Sequence, residues 1–189
     1  MGIGRRWPSY GSNFTAGATD AIGVLVETYN DLEMALQFIL LTLMRGDVLM
    51  NMVVTEQMSS LAIVESIKAY VAKSPKQPLI QPAIDFAISS FEACRTNRNS
   101  IVHFRMAWRH PAGRKTYVMR VKTRSGRFSL TRTLKVTDIR LAADDCHALR
   151  VYLDDLSIAL DASFNGKAYI EPKRPNKSEI LVWAKAPYL

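Results

Sequence analysis

Residues 84–103 read IDFAISSFEACRTNRNSIVH, and this stretch decides the fold. Its apolar side chains recur three or four positions apart, at Ile84, Ile88, Phe91 and Cys94. Such spacing places side chains on one face of an α-helix, because the helix has about 3.6 residues per turn. The stretch therefore predicts an amphipathic helix that begins near Pro82 and packs against a core.

The same helical spacing recurs on both sides of this stretch. Upstream, it predicts one helix over about 19–44 and a second over about 49–72. Downstream, it predicts a fourth helix, capped by Thr137 or Asp138, because both side chains can accept a backbone N–H at a helix start. Long amphipathic helices joined by short links favour a bundle. We expect the following apolar residues to lie in its core: Leu32, Leu36, Ile39, Leu61, Phe91, Leu149, Leu153 and Leu156.

Between the third and fourth helices the apolar pattern changes to a period of two. The segments TYVMRVKT (116–123) and RFSLTRTLKV (127–136) alternate and are rich in β-branched and aromatic residues, which predicts two strands. Ser125 and Gly126 lie between them and are typical of a tight turn. The sequence therefore predicts a β-hairpin at this point of the chain.

The expected fold class is mainly α: a four-helix bundle with a basic β-hairpin or short meander, about 104–136, inserted before the last long helix. With 189 residues the chain is close to the size of one domain. We expect a single helical domain over 1–163 and a C-terminal extension over 164–189.

The positive charge of the chain is concentrated in the inserted segment. The net charge is +8, and ten basic residues but no acidic one lie between Arg105 and Lys135. Concentrated positive charge favours a polyanionic partner, nucleic acid or an acidic membrane surface. The alternative is a solvated hairpin that keeps the protein soluble. The basic residues that we expect to bind nucleic acid are Arg105, Arg109, Arg114, Lys115, Arg120, Lys122, Arg124, Arg127 and Arg132.

Composition excludes several other classes of protein. A hydrophobic content of 48% and a charged content of 22% are globular values. The apolar run at 34–44 is too short to cross a bilayer, which needs about 20 residues. The two cysteines fit no zinc or redox spacing, and the only candidate metal cluster, Asp144-Asp145-Cys146-His147, has its cysteine on an apolar stripe. We therefore expect a cytoplasmic protein with no metal, no cofactor and no membrane partner.

One short motif carries the candidate chemistry. Arg98 and Asn99 precede His103 in the order Arg-Asn-x-x-x-His, directly after the apolar stripe of the third helix. This motif resembles the signature of the HEPN family (higher eukaryotes and prokaryotes nucleotide-binding), which is Arg, a polar residue, three to five residues and His. The resemblance covers the helical frame, about 19–104 and 137–163. It implies a small helical bundle and, as in many members, a metal-independent ribonuclease that acts as a homodimer.

The residue types suit RNA cleavage by the 2′-hydroxyl. Histidine titrates near neutral pH, so His103 is the candidate general acid or base. Arginine stays charged and grips phosphate oxygens, so Arg98 is the candidate for stabilising the charged transition state. Asn99 is expected to position His103 or the phosphate. The three catalytic candidates are thus Arg98, Asn99 and His103.

Helix geometry sets a condition on this site. Positions five apart differ by about 140° around a straight helix, so Arg98 and His103 converge only if the helix kinks or ends here, or if a second copy completes the site. The polar run 96–100 favours a break, because Asn and Ser compete for backbone hydrogen bonds. Facing motifs in a homodimer are what the resemblance implies.

The leading interpretation is a HEPN-type endoribonuclease related to toxins or defence, with RNA as substrate and an antitoxin or a regulatory protein as a further candidate partner. The alternative is a non-catalytic HEPN-like module that binds RNA or protein. A third interpretation is a basic structural or membrane-surface adaptor. Metal-independent cleavage separates the first from the second, and salt-sensitive nucleic-acid binding separates both from the third.

Overall fold

The computed structural model describes residues 16–102, 117–122 and 129–176. Within these ranges the chain is mainly helical, which confirms the predicted class. The helices are α1 (Ala16–Met44), α2 (Val48–Glu56), α3 (Ser60–Lys73), α4 (Gln77–Val102) and α5 (Val136–Phe164).

Two strands lie between α4 and α5 in the described backbone: β1 (Tyr117–Lys122) and β2 (Ser129–Leu134). They pair antiparallel, with Tyr117 opposite Leu134 and Lys122 opposite Ser129. The predicted turn at Ser125 lies outside the described residues.

Contacts between side chains orient the long helices. The hydroxyls of Thr42 on α1 and Ser157 on α5 are 2.8 Å apart, and Arg45 lies 5.4 Å from the centre of the Phe164 ring. These pairs place the two C-terminal ends side by side, so α1 and α5 run in the same direction. Lys76, just before α4, donates to the Ser163 hydroxyl at that same end. The helix α4 therefore runs back from there toward the N-terminal ends of α1 and α5.

The core is built from the apolar stripes that the spacing predicts. Seven of the eight predicted core residues are at most 2% exposed, among them Phe91, which is fully buried. The exception is Leu61, which is 54% exposed. Its predicted burial is wrong because α3 begins only at Ser60, capped by Ser59, and buries a different face, formed by Ile63, Val64, Ile67 and Val71.

The predicted second helix is two helices. The chain leaves helical geometry after Glu56 and starts again with Ser59, whose side chain accepts the backbone N–H of Ala62 at 3.3 Å. The first of the two pieces, α2, buries only Thr55 and exposes most of its apolar residues. A capping serine in the middle of an apolar pattern thus interrupts the helix, since its side chain satisfies donors that a new helix start leaves free.

Two predicted helix boundaries also differ from the structure. The helix α4 begins at Gln77 rather than near Pro82, and it contains that proline. The N-cap of α5 is Lys135, not Thr137 or Asp138. Asp138 nevertheless contributes, because its carboxylate accepts the backbone N–H of Lys135 at 2.8 Å. The carboxylate reaches back to the cap from the first turn, where negative charge is favourable.

Candidate functional site

Arg98 and Asn99 lie near the C-terminal end of α4, and α4 is continuous through Val102. Arg98 is half-buried, and its Nη1 donates to Asn99 Oδ1 at 3.0 Å. Its guanidinium carbon lies 5.4 Å from the centre of the Tyr29 ring on α1. His103 directly follows Val102 and lies outside the described residues. The structure therefore shows the arginine half of the motif and its immediate surroundings.

The predicted break of the helix at 96–100 is wrong. The helix α4 spans this run without interruption, because its apolar residues Phe91, Cys94 and Ile101 continue one buried stripe. Burial of that stripe outweighs the local competition of the Asn and Ser side chains for backbone hydrogen bonds. A straight helix turns position 103 about 140° away from Arg98. An end of the helix at His103, which lies outside the described residues, and completion by a second copy both stay predictions.

The aromatic ring of Tyr29 lies against the guanidinium of Arg98. The Tyr29 side chain is 3% exposed, and its ring stacks on Phe91 with centroids 5.9 Å apart. Burial raises the pKa of its phenol above the usual range; the charge of Glu33 and a hydrogen bond to that carboxylate raise it further, whereas Arg95 and Arg98 lower it. The phenol therefore stays neutral and donates to Glu33.

Glu33 is held from a second side. The hydroxyl of Ser60, the first residue of α3, donates to Glu33 Oε1. The half-buried Glu33 carboxylate thus joins Tyr29 of its own helix to the start of α3. Carboxylates that accept several donors are well satisfied when desolvated. The chain Arg98, Tyr29, Glu33, Ser60 therefore connects three helices, and we refer to these four residues as the arginine cluster.

Arg95 and Arg98 differ in whether a carboxylate neutralises their positive charge. Arg95, one turn earlier on α4, forms an ion pair with Glu92 through Nη2 at 2.7 Å and Nε at 3.0 Å. Arg98 has no such carboxylate among the described residues. Its charge is balanced there only by the ring face of Tyr29 and the amide oxygen of Asn99. Among the described residues, Arg98 is therefore the arginine of α4 without a carboxylate partner.

Two donors at this end of α4 have no acceptor among the described residues: Arg98 Nε and Asn97 Nδ2. Asn97 is 6% exposed, a polar residue on the apolar stripe between Cys94 and Ile101. Buried polar groups are nearly always hydrogen-bonded, so two adjacent exceptions are unusual. A ligand, a water molecule or a group outside the described residues would supply the missing acceptors.

Sequence reasoning missed Tyr29, Glu33, Ser60 and Asn97 as site residues. Tyr29 follows the apolar spacing of α1, and nothing in the sequence brings it to Arg98. Asn97 did carry a signal, because an amide at an apolar stripe position of α4 is an unusual core residue. The spacing Tyr29 to Glu33, one helical turn, is a weaker signal of the same kind.

Only part of the predicted basic surface lies in the described residues. Arg120 and Lys122 belong to β1 and Arg132 to β2. The register sets Arg120 opposite Thr131 and Arg132 opposite Met119. The strand pairing therefore forms no cross-strand pair of these cations, and a nucleic-acid surface on the hairpin stays a prediction. Outside the described residues lie Arg105, Arg109, Arg114, Lys115, Arg124 and Arg127.

The part of the chain that the structure describes carries no candidate metal site. No group of three or more His, Cys, Asp or Glu side chains there is placed to hold a metal ion. Cys146, in the candidate run 144–147, is fully buried as its stripe position predicts. None of the described helices is both long and apolar enough to span a membrane.

Comparison with known proteins adds no family. The chain has no significant match among family models, curated proteins or solved structures. The resemblance to HEPN proteins therefore rests on the motif at 98–103 and on the helical frame.

Proposed function

We propose that this chain is a metal-independent endoribonuclease of the HEPN type that binds RNA through Arg98 and cleaves it with His103. The observation that supports the proposal best is the state of Arg98. Its guanidinium is half-buried over an aromatic ring, with no carboxylate partner in the described residues. An arginine desolvated in this way and not neutralised by an acid binds phosphate more strongly than a solvated one.

The roles follow from charge and proton affinity. The 2′-hydroxyl of the RNA attacks the adjacent phosphorus, the bond to the 5′-oxygen breaks, and a 2′,3′-cyclic phosphate and a 5′-hydroxyl result. His103 takes the proton from the 2′-hydroxyl or gives one to the leaving 5′-oxygen. Arg98 stabilises the negative charge that develops on the phosphoryl oxygens. Asn99 fixes the rotamer of Arg98 through its 3.0 Å hydrogen bond.

The proposal includes a homodimer. The helix α4 runs unbroken through Val102, which favours a site completed by a second copy over one assembled within a single chain. Each protomer would then contribute an arginine and a histidine to a site at the interface.

Cleavage of a single-stranded RNA by a nuclease-free preparation tests the activity. We expect cleavage to persist in EDTA and to leave a 2′,3′-cyclic phosphate. His103→Ala should abolish cleavage with RNA affinity nearly intact, since general acid–base catalysis is worth about 10²–10⁴ in rate and little in binding. Arg98→Ala should reduce both rate and affinity.

Two matched variants serve as controls. Arg95→Ala removes an arginine one turn away whose charge is already paired with Glu92, so it should leave rate and affinity nearly unchanged. His110→Ala removes a histidine outside the motif, which lies beyond the described residues, and should also keep the rate. A preparation that cuts no RNA, or one that still cuts after His103→Ala, contradicts the catalytic proposal.

A non-catalytic RNA-binding module is the second candidate, favoured by the absence of the predicted break at 96–100 from the described helix α4. It predicts RNA binding without cleavage. Replacing both Arg120 and Lys122 with Glu should weaken binding and flatten its dependence on salt, because counterion release scales with phosphate contacts. An unchanged salt dependence would mean that Arg120 and Lys122 do not contact the phosphates of the RNA.

A further inference from the structure

A tyrosine at the buried position 29 costs more free energy than an apolar residue would, because its hydroxyl must be desolvated. It is 3% exposed in the core, and its ring packs on Phe91 as a phenylalanine would. Its hydroxyl must then find a partner, because an unpaired buried hydroxyl destabilises the fold. The partner is Glu33, itself a charged residue that needs the Ser60 hydroxyl. Three polar groups on two helices are thus arranged around one ring, and the guanidinium of Arg98 lies over that ring, 5.4 Å from its centre.

The alternative explanation for the buried Tyr29 is that it serves packing alone. Tyr152 is a buried tyrosine with which it can be compared. Tyr152 on α5 is 2% exposed and meets Phe86 edge-on with centroids 5.3 Å apart. Its hydroxyl donates to Glu171 at 3.3 Å, and burial, followed by the charge of Glu171, raises its pKa as burial and Glu33 do for Tyr29. Arg174 pairs with that Glu171 and lies 5.1 Å from the Phe86 ring. In that set the arginine has a carboxylate of its own, whereas in the arginine cluster Arg98 depends on the ring.

The charge on Arg98 makes the ring contact directional. A guanidinium is attracted to the face of an aromatic ring, and the attraction grows when the pair is removed from water. Arg98 is half-buried there, and its Nη1 is held by Asn99, so ring and amide together restrict two ends of one planar group. A long side chain restricted in this way loses less freedom when it binds phosphate.

We infer that Tyr29 is a positioning residue for Arg98: its ring, fixed by Phe91 and by the link through Glu33 to Ser60, holds the guanidinium in the orientation that meets the scissile phosphate. This inference rests on the proposed function for the identity of the ligand. The orientation of Arg98 itself is a property of the free protein and is measured without RNA.

The first experiment is a nitrogen-15 NMR spectrum of the arginine Nε–H groups of the RNA-free protein, with the Arg98 signal assigned by its loss in Arg98→Lys. Because the guanidinium lies over the Tyr29 ring, we expect the Arg98 proton to be shifted upfield of that of Arg95, which pairs with Glu92 instead. This comparison uses the unaltered chain. An Arg98 signal at the position of a solvated arginine overturns the inference.

The second experiment uses variants of the ring. Tyr29→Phe keeps the ring face and should keep the Arg98 shift and the cleavage rate within about twofold. Tyr29→Leu removes the face; it should abolish the shift and lower kcat/KM about five- to thirty-fold, the range expected for a partly desolvated cation–π contact. Tyr152→Leu removes an equally buried tyrosine and should change neither. A thermal melt of each variant confirms folding.

The outcomes separate the two proposals. Loss of the shift in Tyr29→Leu but not in Tyr152→Leu shows that the Tyr29 ring lies over Arg98 even if the protein cuts no RNA, in which case only the proposed function fails. A loss of kcat/KM in Tyr29→Leu that Tyr152→Leu does not share supports the positioning role. Equal loss of rate in the two leucine variants means that both act through stability, and it overturns the positioning role while the ribonuclease stands. Should Tyr29→Leu fail to fold, the signal of the unaltered chain decides.

Discussion

Asn97 is the residue whose replacement best tests the picture of α4. It is 6% exposed on the apolar stripe, and its Nδ2 has no acceptor among the described residues. A buried donor without an acceptor costs about 1–3 kcal/mol. Leucine has the same branching and the same number of side-chain heavy atoms as asparagine, without the amide. Asn97→Leu should therefore stabilise the protein by about 1–3 kcal/mol, the opposite sign to most core substitutions.

Urea unfolding followed by circular dichroism measures the effect. The midpoint should rise while the slope m stays constant, because the surface exposed on unfolding hardly changes. For a chain of this length each 1 kcal/mol raises Tm by about 2–4 °C. Two variants give the controls: Asn97→Asp keeps the shape but buries a carboxylate and should destabilise strongly, and Asn99→Leu removes the acceptor of Arg98 Nη1 and should not stabilise.

A loss of stability in Asn97→Leu would refute this reasoning. It would mean that the amide is hydrogen-bonded after all, to a group outside the described ranges. A gain in stability accompanied by lower RNA affinity would show instead that the polar residue is retained at a cost for function, as is common at binding sites.

Two further predictions follow from burial. Phe91→Ala should lower the free energy of unfolding by about 3–5 kcal/mol, whereas Leu61→Ala should change it by less than about 0.5 kcal/mol, since only the first side chain is buried; paired urea melts measure both. Burial, and next the charge of Glu171, raise the pKa of Tyr169 to about 12. The folded chain then keeps a phenol proton that the unfolded chain loses above about pH 10, so stability should fall from there through about pH 12, and less steeply in Tyr169→Phe.

The paired buried cysteines do not alter the direction of that pH dependence. Cys94 and Cys146 are free and buried, and their mutual hydrogen bond and desolvation raise the pKa of the Cys94 thiol. This thiol also stays protonated in the folded chain while its unfolded counterpart ionises at alkaline pH. Its contribution to stability is likewise lost as pH rises.

Local patterns were sufficient for the three long helices. The 3–4 spacing of apolar residues predicted α1, α4 and α5 and their buried faces, because the period of burial follows from the geometry of a single helix. The arginine and asparagine of the candidate site were also found by sequence, since their order along the chain is itself the motif. Asn97 was missed as a site residue, although an amide on an apolar stripe is unusual.

The features that sequence alone did not predict all depend on neighbours in space. Whether Leu61 is buried depends on where α3 begins, and that depends on capping by Ser59 and on the tie between Ser60 and Glu33. The polar run 96–100 remained helical because the partners of α4 bury the stripe beneath it. Differences in helix propensity at such positions amount to less than about 1 kcal/mol per residue. The free energy gained by burying apolar side chains in the core is larger.

The surroundings of Arg98 show the same division most clearly. The sequence by itself determined that an arginine and an asparagine stand together near the end of an amphipathic helix. The tertiary structure alone decided that the ring of Tyr29, far away in the chain, lies 5.4 Å beneath that arginine and that the nearest ion pair on α4 belongs to Arg95 instead. Contacts between distant residues arise from how helices pack, and helix packing depends on the shapes of both partners, which no local period encodes.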